Sequence, residues 1–458
     1  MDESQTAAML VPEAIYRRFF TRFGVSFVAM LLYSAFIVFR FYVPDLYDFF
    51  LGATDVTRKS QLFDDLHSIL LAGACWRHGV NVYIPNACMG GGNYNYSPLL
   101  LRAALLGAGP AELDVIAIIS GLLFCLSLSI LPPVESVVEF VLRIVAVCSG
   151  AVLLALSTAN FDIDIFVMTL IGIAFVLANR MFSLAGYGFF LIGAALKFYP
   201  VILLACIVRE RWQRIFMVIT VSALLVGIYW VHFSATTVVA VTHLPKGLPF
   251  DFWFGSEDLA YGLLVLHYLP VLTMHPTLAQ YDIAVARPVT GPFIALTTEA
   301  LIVVALFIVI IISPRYAKAL ARLDPQRGLF FFAGAMIVSF CFFATQNVDY
   351  RAIFLLLALP GLWTMGNWFK GNGDRSMQIL LVSVVLLLWE AYLRNFIGFL
   401  GGVVVGAPRA VYVEIIFFLC REVLWWWVAI QLAACVLCFL RQSIGLLAIR
   451  SNLFARKQ

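Results

Sequence analysis

Apolar segments of about 20 residues recur along the chain, and they constrain its fold more than any other feature. A helix needs about 20 apolar residues to cross the hydrocarbon core of a bilayer. The chain is 63% hydrophobic and only 12% charged, a composition typical of membrane proteins rather than soluble ones. We therefore expect an all-α polytopic membrane protein, one integral membrane domain over residues 1–458, with about 10 to 12 transmembrane helices. The ten clearest crossings are predicted near residues 24–43, 111–131, 137–157, 161–179, 213–233, 293–313, 329–345, 350–367, 377–393 and 421–440.

Positive charges near the ends of these segments predict the orientation of the chain. Basic residues gather on the cytoplasmic side of a membrane, and Arg17, Arg18 and Arg22 precede the first crossing. The alternation of crossings then places further basic stretches inside, at residues 209–214, 313–327, 370–375 and 450–458. We expect a multi-pass protein of the inner (plasma) membrane with both termini cytoplasmic. A net charge of +4 indicates no nucleic-acid partner.

One segment, residues 182–208, does not fit a single straight crossing. It lies between Arg180 and the basic cluster that begins at Arg209, and both of these should be cytoplasmic. A helical hairpin satisfies both constraints, with a break at "LKFYP", where Pro200 removes a backbone donor. Irregular backbone at membrane depth is tolerated where it is buried in protein or lines a cavity. The sequence therefore predicts a re-entrant or broken hairpin with Lys197 at its apex.

The same topology leaves two long extracytoplasmic segments, residues 44–110 and 234–292, and a short turn at 345–351. A glycine-rich stretch near 395–410 is also expected outside. Cys75 and Cys88 both fall in the first segment. In an oxidising compartment they could form a disulfide, and two free thiols are the alternative.

The first extracytoplasmic segment contains two adjacent carboxylates, in "LFDDLHSILLAGACWRH" at residues 62–78. An apolar stripe at helical spacing predicts an amphipathic helix lying on the membrane surface: Leu62, Leu66, Ile69, Gly73 and Trp76. The opposite face would carry Asp64, Ser68, Cys75 and His78. Asp65 falls between the two faces, and a partly desolvated carboxylate suits a general base. Alternatively, both aspartates only favour the start of a helix electrostatically.

Two stretches resemble a known family. Asp65, Gly79, Tyr83 and the following "YSPL" are similar to the first extracytoplasmic loop of glycosyltransferase family 87, the polyprenyl-phosphate-mannose-dependent mannosyltransferases of the GT-C superfamily. The segment "LAGYGFFLIGAALKFYPVILLACIVRERW" resembles the family's Gly-x-x-x-Gly-x-Ala-x-x-x-Lys-x-Tyr-Pro pattern. The resemblance covers roughly residues 60–215, and "NVDYRAIFLLLALP" adds to it. The family usually has Gly-Gln where this chain has Asn160.

That departure affects Asp162 and Asp164, which begin a predicted crossing on the outer side. Their roles stay open, and we favour the interpretation that they mark the solvated end of that crossing.

The resemblance implies a GT-C-like bundle and a reaction. Such an enzyme transfers a hexose, mannose in that family, from a polyprenyl-phosphate-sugar donor to a lipid or glycan acceptor on the extracytoplasmic face, with inversion. Asp65 would be the general base, with Asp64 as its rival. Lys197 and Arg351 would bind the donor phosphate, because charged groups inside a membrane are costly and mark functional sites. For Lys197, snorkelling of its side chain to a membrane interface is the alternative, and for Arg351 it is a local ion pair with Asp349.

Further residues are candidates for binding the substrates, because aromatic rings pack on sugars and polar groups hydrogen-bond them. They are Tyr83, Tyr96, Tyr199, His243, Trp253 and Asp349. Tyr94 belongs with the aromatic candidates, and interfacial aromatic belts are the alternative for any one of them. We expect no cofactor and no metal, since a donor with one phosphate and basic partners lacks the diphosphate that usually calls for a divalent cation.

A secondary transporter is the main alternative, because transporters also use broken helices and charges near the midplane. A lipid or glycan flippase and a polysaccharide ligase are further alternatives. The sequence shows no internal repeat of the kind transporters usually have. Sugar transfer from a synthetic donor without a membrane gradient would separate the enzyme from these alternatives.

Overall fold

The computed structural model describes residues 3–53, 62–178, 181–242, 253–267, 276–405 and 407–443, and within them the chain is almost entirely helical. Its α-helices are α1 (Glu3–Tyr42), α2 (Pro44–Ala53), α3 (Asp64–Arg77), α4 (Pro98–Leu101), α5 (Leu113–Ser127), α6 (Val137–Val147), α7 (Gly150–Thr158), α8 (Asp162–Ala178), α9 (Phe182–Lys197), α10 (Trp212–Thr242), α11 (Ser256–His267), α12 (Pro276–Ile312), α13 (Ala317–Leu320), α14 (Pro325–Ala344), α15 (Leu355–Gly371), α16 (Ser376–Leu388), α17 (Glu390–Val405) and α18 (Ala407–Gln442).

Short 3₁₀ segments connect several of these helices: Ala87–Met89, Arg102–Leu106, Pro110–Glu112, Leu128–Ile130, Tyr199–Arg209, Ser313–Tyr316 and Asp349–Phe354. Two strands, β1 (Trp253–Phe254) and β2 (Asn347–Val348), form a small antiparallel sheet. Trp253 pairs with Val348, and Phe254 pairs with Asn347. This sheet joins the second predicted outer segment to the turn before Arg351.

The apolar helices confirm a polytopic membrane protein. Seven helical segments within the described residues are long and apolar enough to cross a membrane, or up to nine if each of two bent pairs is one span. The pair α6 and α7 is bent by 46°, and the pair α16 and α17 by 72°. Helix α8, with 17 residues, covers the predicted crossing at 161–179. The full count of about 10 to 12 spans stays a prediction.

Two helices, α14 and α15, form the centre of the bundle. Their most apolar windows are 83% and 78% buried, against 17% for α10 and 22% for the described part of α12. Glycines allow the two central helices to approach, since a Cβ atom added to Gly334 would lie 2.8 Å from the Leu357 Cβ atom. One added to Gly361 would lie 2.5 Å from the Phe331 Cβ atom. Helix α10 and residues 291–312 of α12 present mostly exposed apolar side chains.

Helices α8 and α9 pack closely and run in opposite directions. A Cβ atom added to Gly186 would lie 2.5 Å from the Gly172 carbonyl oxygen. Helix α9 ends at Lys197, and the following 3₁₀ segment returns along the bundle, so that Tyr187 lies near Arg209. Phe182 and Arg209 are therefore at one end of the bundle and Lys197 is at the other.

This arrangement makes a prediction about sidedness. Single cysteines introduced at Phe182 and at Arg209 are expected to react with a membrane-impermeant thiol reagent from the same side, the cytoplasmic one. Labelling of intact cells and of inverted vesicles measures this. Reaction of the two positions from opposite sides would contradict the hairpin and would remove Lys197 from the outer half of the bundle.

Several helices are longer than the sequence predicted. Helix α10 continues to Thr242, α12 already begins at Pro276, and α17 and α18 occupy most of the glycine-rich stretch expected outside. The physical reason is that hydropathy marks only the apolar part of a helix, whereas the hydrogen-bonded helix can extend into polar sequence at its ends. Much of the predicted outer segment 234–292 is therefore helical.

The predicted surface helix begins two residues later than expected, as α3, and its apolar face packs on protein. Leu66 and Leu70 contact a cluster that includes Leu113 and Ala117 of α5. A Cβ atom on Gly73 would lie 2.7 Å from the Ala104 Cβ atom. Placing this stripe on the membrane surface was wrong, because neighbouring chain segments cover it. Cys75, expected on the polar face, is 1% exposed.

A buried ion cluster lies at the end of the bundle away from Lys197, near the start of α14. The Arg327 guanidinium donates to both carboxylate oxygens of Glu139, at 3.0 and 3.2 Å, and Arg143 donates to the same carboxylate. Arg327 also donates to the carbonyl oxygens of Pro133 and Pro360, at 2.6 and 2.8 Å. The cluster therefore ties α6, α14 and α15 together.

Candidate active site

A chain of polar contacts joins the first predicted outer segment to the apex of the α9 hairpin. The Asn160 side chain donates from Nδ2 to Asp65 Oδ2 at 2.8 Å. Its Oδ1 accepts from Lys197 Nζ at 2.7 Å and from the Asp162 backbone N–H at 2.9 Å. Two donors at Oδ1 fix the orientation of the amide, so that Nδ2 points to the carboxylate. One asparagine thus connects the proposed base to the proposed phosphate ligand.

Asp162 is the counter-ion of this site. Its carboxylate lies 2.8 Å from Lys197 Nζ, accepts from the Tyr199 hydroxyl at 2.5 Å, and lies 3.5 Å from Arg351 Nε. Asp162 is 0% exposed. The interpretation that Asp162 marks a solvated end was wrong, because its carboxylate is buried in the protein, with Lys197 and Tyr199 at Oδ1 and Arg351 nearest to Oδ2. Asp164 lies near Ser120 instead.

Arg351 and its neighbour Asp349 face different parts of the molecule. The Arg351 guanidinium donates to the Asn347 side chain, and its Cζ lies 5.0 Å from the centre of the Tyr199 ring. Asp349, in contrast, lies near Glu390 and Arg421. The alternative of a local Arg351–Asp349 pair is therefore not what the structure has.

Backbone strain occurs where the chain enters this network. Among the described residues, the non-glycine residues with positive φ are Phe63 (58°), Ala159 (46°) and Phe198 (57°). Each lies one or two positions from a network residue, namely Asp65, Asn160 and Lys197. Such conformations cost about 1–3 kcal/mol each and concentrate at functional sites. The Phe63 N–H donates to the Ser157 carbonyl oxygen at 3.0 Å, which docks the start of α3 on the end of α7.

A cavity of about 420 Å³ opens beside the two cations. Its polar wall includes Lys197, Arg351 and Asn347, and its apolar wall includes Val201 and Phe340. It is therefore amphipathic, with buried positive groups at one wall and hydrocarbon at the other.

Aromatic side chains surround the Lys197 ammonium group. Its Nζ lies 5.4 Å from the ring centres of both Tyr96 and Tyr350, a distance at which a cation is attracted to the ring face. Burial and the nearby Asp65 charge raise the pKa of Tyr96 well above its usual value, so that its hydroxyl stays neutral.

The other predicted substrate-binding residues are distributed unevenly. Tyr199 and Trp253 line the cavity with Tyr96. Tyr83 is buried, is not among the residues that line the cavity, and packs edge-on against Tyr94, with ring centres 5.5 Å apart. Asp349 is not among the residues that line the cavity. His243 lies outside the described residues.

Sequence reasoning did not assign roles to Asn160 and Tyr350. Asn160 is fully buried, and the Tyr350 ring centre lies 5.4 Å from Lys197 Nζ. In the sequence, the departure from the family pattern is the feature that distinguishes Asn160. Tyr350 carried no signal, since a tyrosine near a predicted interface is common. Asp64 is half-exposed at the start of α3 and next to Asp65.

Cys75 and Cys88 form a disulfide in the structure, with their Cα atoms 6.1 Å apart. It closes the turn that carries Gly79 and Tyr83. In denaturant without reductant, alkylation is expected to modify the seven other cysteines and to spare this pair, because only thiols react. Peptide mass spectrometry before and after reduction measures this. Alkylation of Cys75 and Cys88 without reduction would contradict the bridge.

Within the part of the chain that the structure describes, no group of three or more histidine, cysteine, aspartate or glutamate side chains could hold a metal ion. Comparisons with protein-family models, curated proteins and solved structures found no match to this chain.

Proposed function

We propose that the protein is a GT-C-type hexosyltransferase of the membrane. It transfers a hexose, mannose by the resemblance to glycosyltransferase family 87, from a polyprenyl-phosphate-sugar donor to a lipid or glycan acceptor. The observation that carries the proposal is the contact chain from Asp65 through Asn160 to Lys197 beside an amphipathic cavity. A donor of this class needs a cationic site for one phosphate, an apolar path for its chain and a nearby base.

The charges near the cavity suit a lipid phosphate. Lys197 and Arg351 carry two positive charges, and Asp162, the carboxylate in contact with both, carries one negative charge. The cavity lining includes both of these cations and neither Asp162 nor Asp65, in an interior where electrostatic interactions are stronger than in water. The departing phosphate gains negative charge in the transition state, so these cations stabilise the transition state as well as the bound donor.

Asp65 would act as the base. Its carboxylate accepts the proton of the acceptor hydroxyl while that oxygen attacks the anomeric carbon. The bond between the anomeric carbon and the phosphate oxygen breaks, its electron pair stays on the phosphate, and the configuration inverts. Asn160 donates to one Asp65 oxygen at 2.8 Å and thereby orients the carboxylate for proton transfer.

The remaining features fit this reaction. Tyr96, Tyr199 and Trp253 would contact the sugar from the cavity wall. The prenyl chain would lie along Val201 and Phe340. By the distribution of basic residues, the site faces the extracytoplasmic side of the plasma membrane, both termini are cytoplasmic, and about 10 to 12 spans complete the bundle.

The test uses the purified protein in nanodiscs with a synthetic polyprenyl-phosphate-mannose donor and a crude lipid acceptor fraction from the same cells. Release of polyprenyl phosphate and appearance of a mannosylated product, with no ion gradient present, support the proposal. Donor binding without turnover, or gradient-driven uptake of a solute by vesicles that contain the protein, favours the transporter or flippase alternative.

A further inference from the structure

Helix α18 contributes a buried arginine, Arg421, that is bonded to the backbone of a residue in the cavity wall. Its Nη2 donates to the Trp253 carbonyl oxygen at 2.8 Å. Trp253 lines the cavity, whereas Arg421 is not among the lining residues and is 6% exposed. The transfer reaction proposed above gives Arg421 no role. Its printed link to the cavity is the bond to Trp253.

Two glutamates hold the Arg421 guanidinium in place. Nε and Nη2 donate to Glu422 Oε1 at 2.9 and 2.7 Å, and Nη1 lies 3.5 Å from Glu390 Oε1. The Trp425 indole donates to Glu390 Oε2 at 3.0 Å, which fixes that carboxylate in turn. Hydrogen bonds between ionised groups are stronger than neutral ones, and the guanidinium is a planar, rigid fork. The Trp253 carbonyl oxygen is therefore bound to a donor with little freedom to move.

The strand that carries Trp253 is also fixed on its other face. Successive side chains of a strand point to opposite faces. Phe254 is fully buried, and its ring stacks on Trp425 with centres 4.5 Å apart. A Cβ atom added to Gly255 would lie 2.7 Å from the Thr345 carbonyl oxygen, so the chain after β1 lies close against the turn before β2. Trp253 faces the cavity because Phe254 faces α18.

Strand pairing places Trp253 near the proposed phosphate site. Trp253 pairs with Val348, which lies three positions before Arg351, and all three residues line the cavity. Asn347, the other paired residue of β2, accepts a hydrogen bond from the Arg351 guanidinium. In the proposed donor the hexose is bonded directly to the phosphate. An aromatic ring beside the phosphate ligand is therefore well placed to pack on the sugar.

The two lipids that the cavity would hold differ in charge as well as in sugar. The donor is a phosphodiester with a single negative charge, whereas the released polyprenyl phosphate is a monoester with a charge of about −1.5 to −2 at pH 7. Lys197 and Arg351, in the cavity wall, would attract the more negative product more strongly. Contact with the hexose is an interaction that the product lacks, so it offsets this bias.

We propose that Arg421 is a positioning residue. By holding the Trp253 backbone it directs the Trp253 ring onto the hexose of the donor, and it thereby sets the preference of the cavity for glycosylated over sugar-free lipid phosphate. This role rests on the proposed function, because it takes the ligand to be a polyprenyl-phosphate sugar. Contact with the sugar is made in the ground state and in the transition state alike, so its loss raises KM and leaves kcat nearly unchanged.

Equilibrium binding of polyprenyl-phosphate-mannose and of polyprenyl phosphate to the purified protein in nanodiscs tests this role. Arg421→Lys keeps the charge that balances Glu390 and Glu422 but lacks the planar fork. It should weaken binding of the mannosylated lipid by about 2- to 10-fold, the contribution of one aromatic contact. Affinity for polyprenyl phosphate should stay unchanged. A general loss of packing would instead weaken binding of both lipids.

Trp253→Leu shows whether Arg421 acts through the ring. It should weaken binding of the mannosylated lipid at least as much as Arg421→Lys does. The double variant should bind that lipid no more weakly than Trp253→Leu alone, because the position of an absent ring has no effect. Phe254→Leu loosens the same strand while Arg421 stays in place, and it should cause the same selective loss. It decides the matter if Arg421→Lys does not fold.

Arg441→Lys is the matched control, because Arg441 is an exposed arginine in the last turn of the same helix. It should leave both affinities unchanged. Equal weakening of both lipids in Arg421→Lys, or in Phe254→Leu if it replaces that variant, overturns the positioning role alone. So does wild-type affinity for the mannosylated lipid, or an additive loss in the double variant. Wild-type protein that binds neither lipid overturns the proposed function, and the role of Arg421 with it.

Discussion

Asp65→Asn is expected to lower sugar transfer by two to four orders of magnitude, the range typical for loss of general-base catalysis. Asparagine keeps the size of the side chain, and its carbonyl oxygen can still accept from Asn160 Nδ2. It cannot take the proton of the acceptor hydroxyl. Turnover of the synthetic donor by the purified variant measures the effect, and donor binding should be nearly unchanged, because the phosphate contacts remain.

Asp64→Asn is the matched control for this experiment. Asp64 is adjacent in the chain and half-exposed like Asp65, so the substitution removes the same charge from the same helix start. It should retain most of the wild-type rate. The reverse result, with Asp64→Asn inactive and Asp65→Asn active, would identify Asp64 as the base. If both variants are active, neither carboxylate is the base, and both only favour the start of the helix electrostatically.

Lys197→Ala is expected to weaken donor binding and to lower the transfer rate by about 10²–10³-fold, the effect of losing one preorganised electrostatic group. The ammonium contacts Asp162 and Asn160, so its loss removes positive charge from the cavity wall and leaves Asn160 Oδ1 with one donor fewer. Both KM for the donor and kcat should change, because the phosphate loses its partner in the ground state and in the transition state.

Lys370→Ala provides the control for Lys197→Ala. Lys370 lies in the last turn of α15 and is exposed. Its removal should leave donor affinity and rate unchanged. Lys197→Arg separates charge from shape, since it keeps the positive charge but alters the contact with Asn160. Wild-type donor affinity in Lys197→Ala would place the phosphate elsewhere.

The fold class could be predicted from the sequence because long apolar segments leave few alternatives in a membrane. The limits of the helices could not, as α10 and α12 show, since hydropathy does not detect the polar ends of a continuous helix. The break after Lys197 was predictable from Pro200 and from the charges on both sides. Helix α9 ends at that lysine.

The partners within the candidate site were harder to predict. Asp162 follows a turn and begins an apolar helix, which is also the pattern of a solvated helix start, and its burial depends on Lys197 and Arg351 from distant segments. Asn160 has no charge, so the sequence does not identify it as a site residue in the way that a charged residue inside a membrane is identified. Contacts between segments far apart in the chain decide both cases.

The shared carboxylate of Asp162 has a consequence for the order in which the protein is made. The ribosome delivers Asp162 first, then Lys197 shortly afterwards, and Arg351 much later. Because α8 and α9 pack antiparallel, Asp162 and Lys197 can neutralise each other as one unit during insertion, before most of the bundle exists. Arg351 is made last. It need not displace Lys197, because Arg351 lies nearest to Asp162 Oδ2, whereas Lys197 contacts Oδ1. The three charged side chains can thus be buried in two stages. Asp162 and Lys197 are buried early as a neutral pair, and Arg351 is added once the surrounding helices are present.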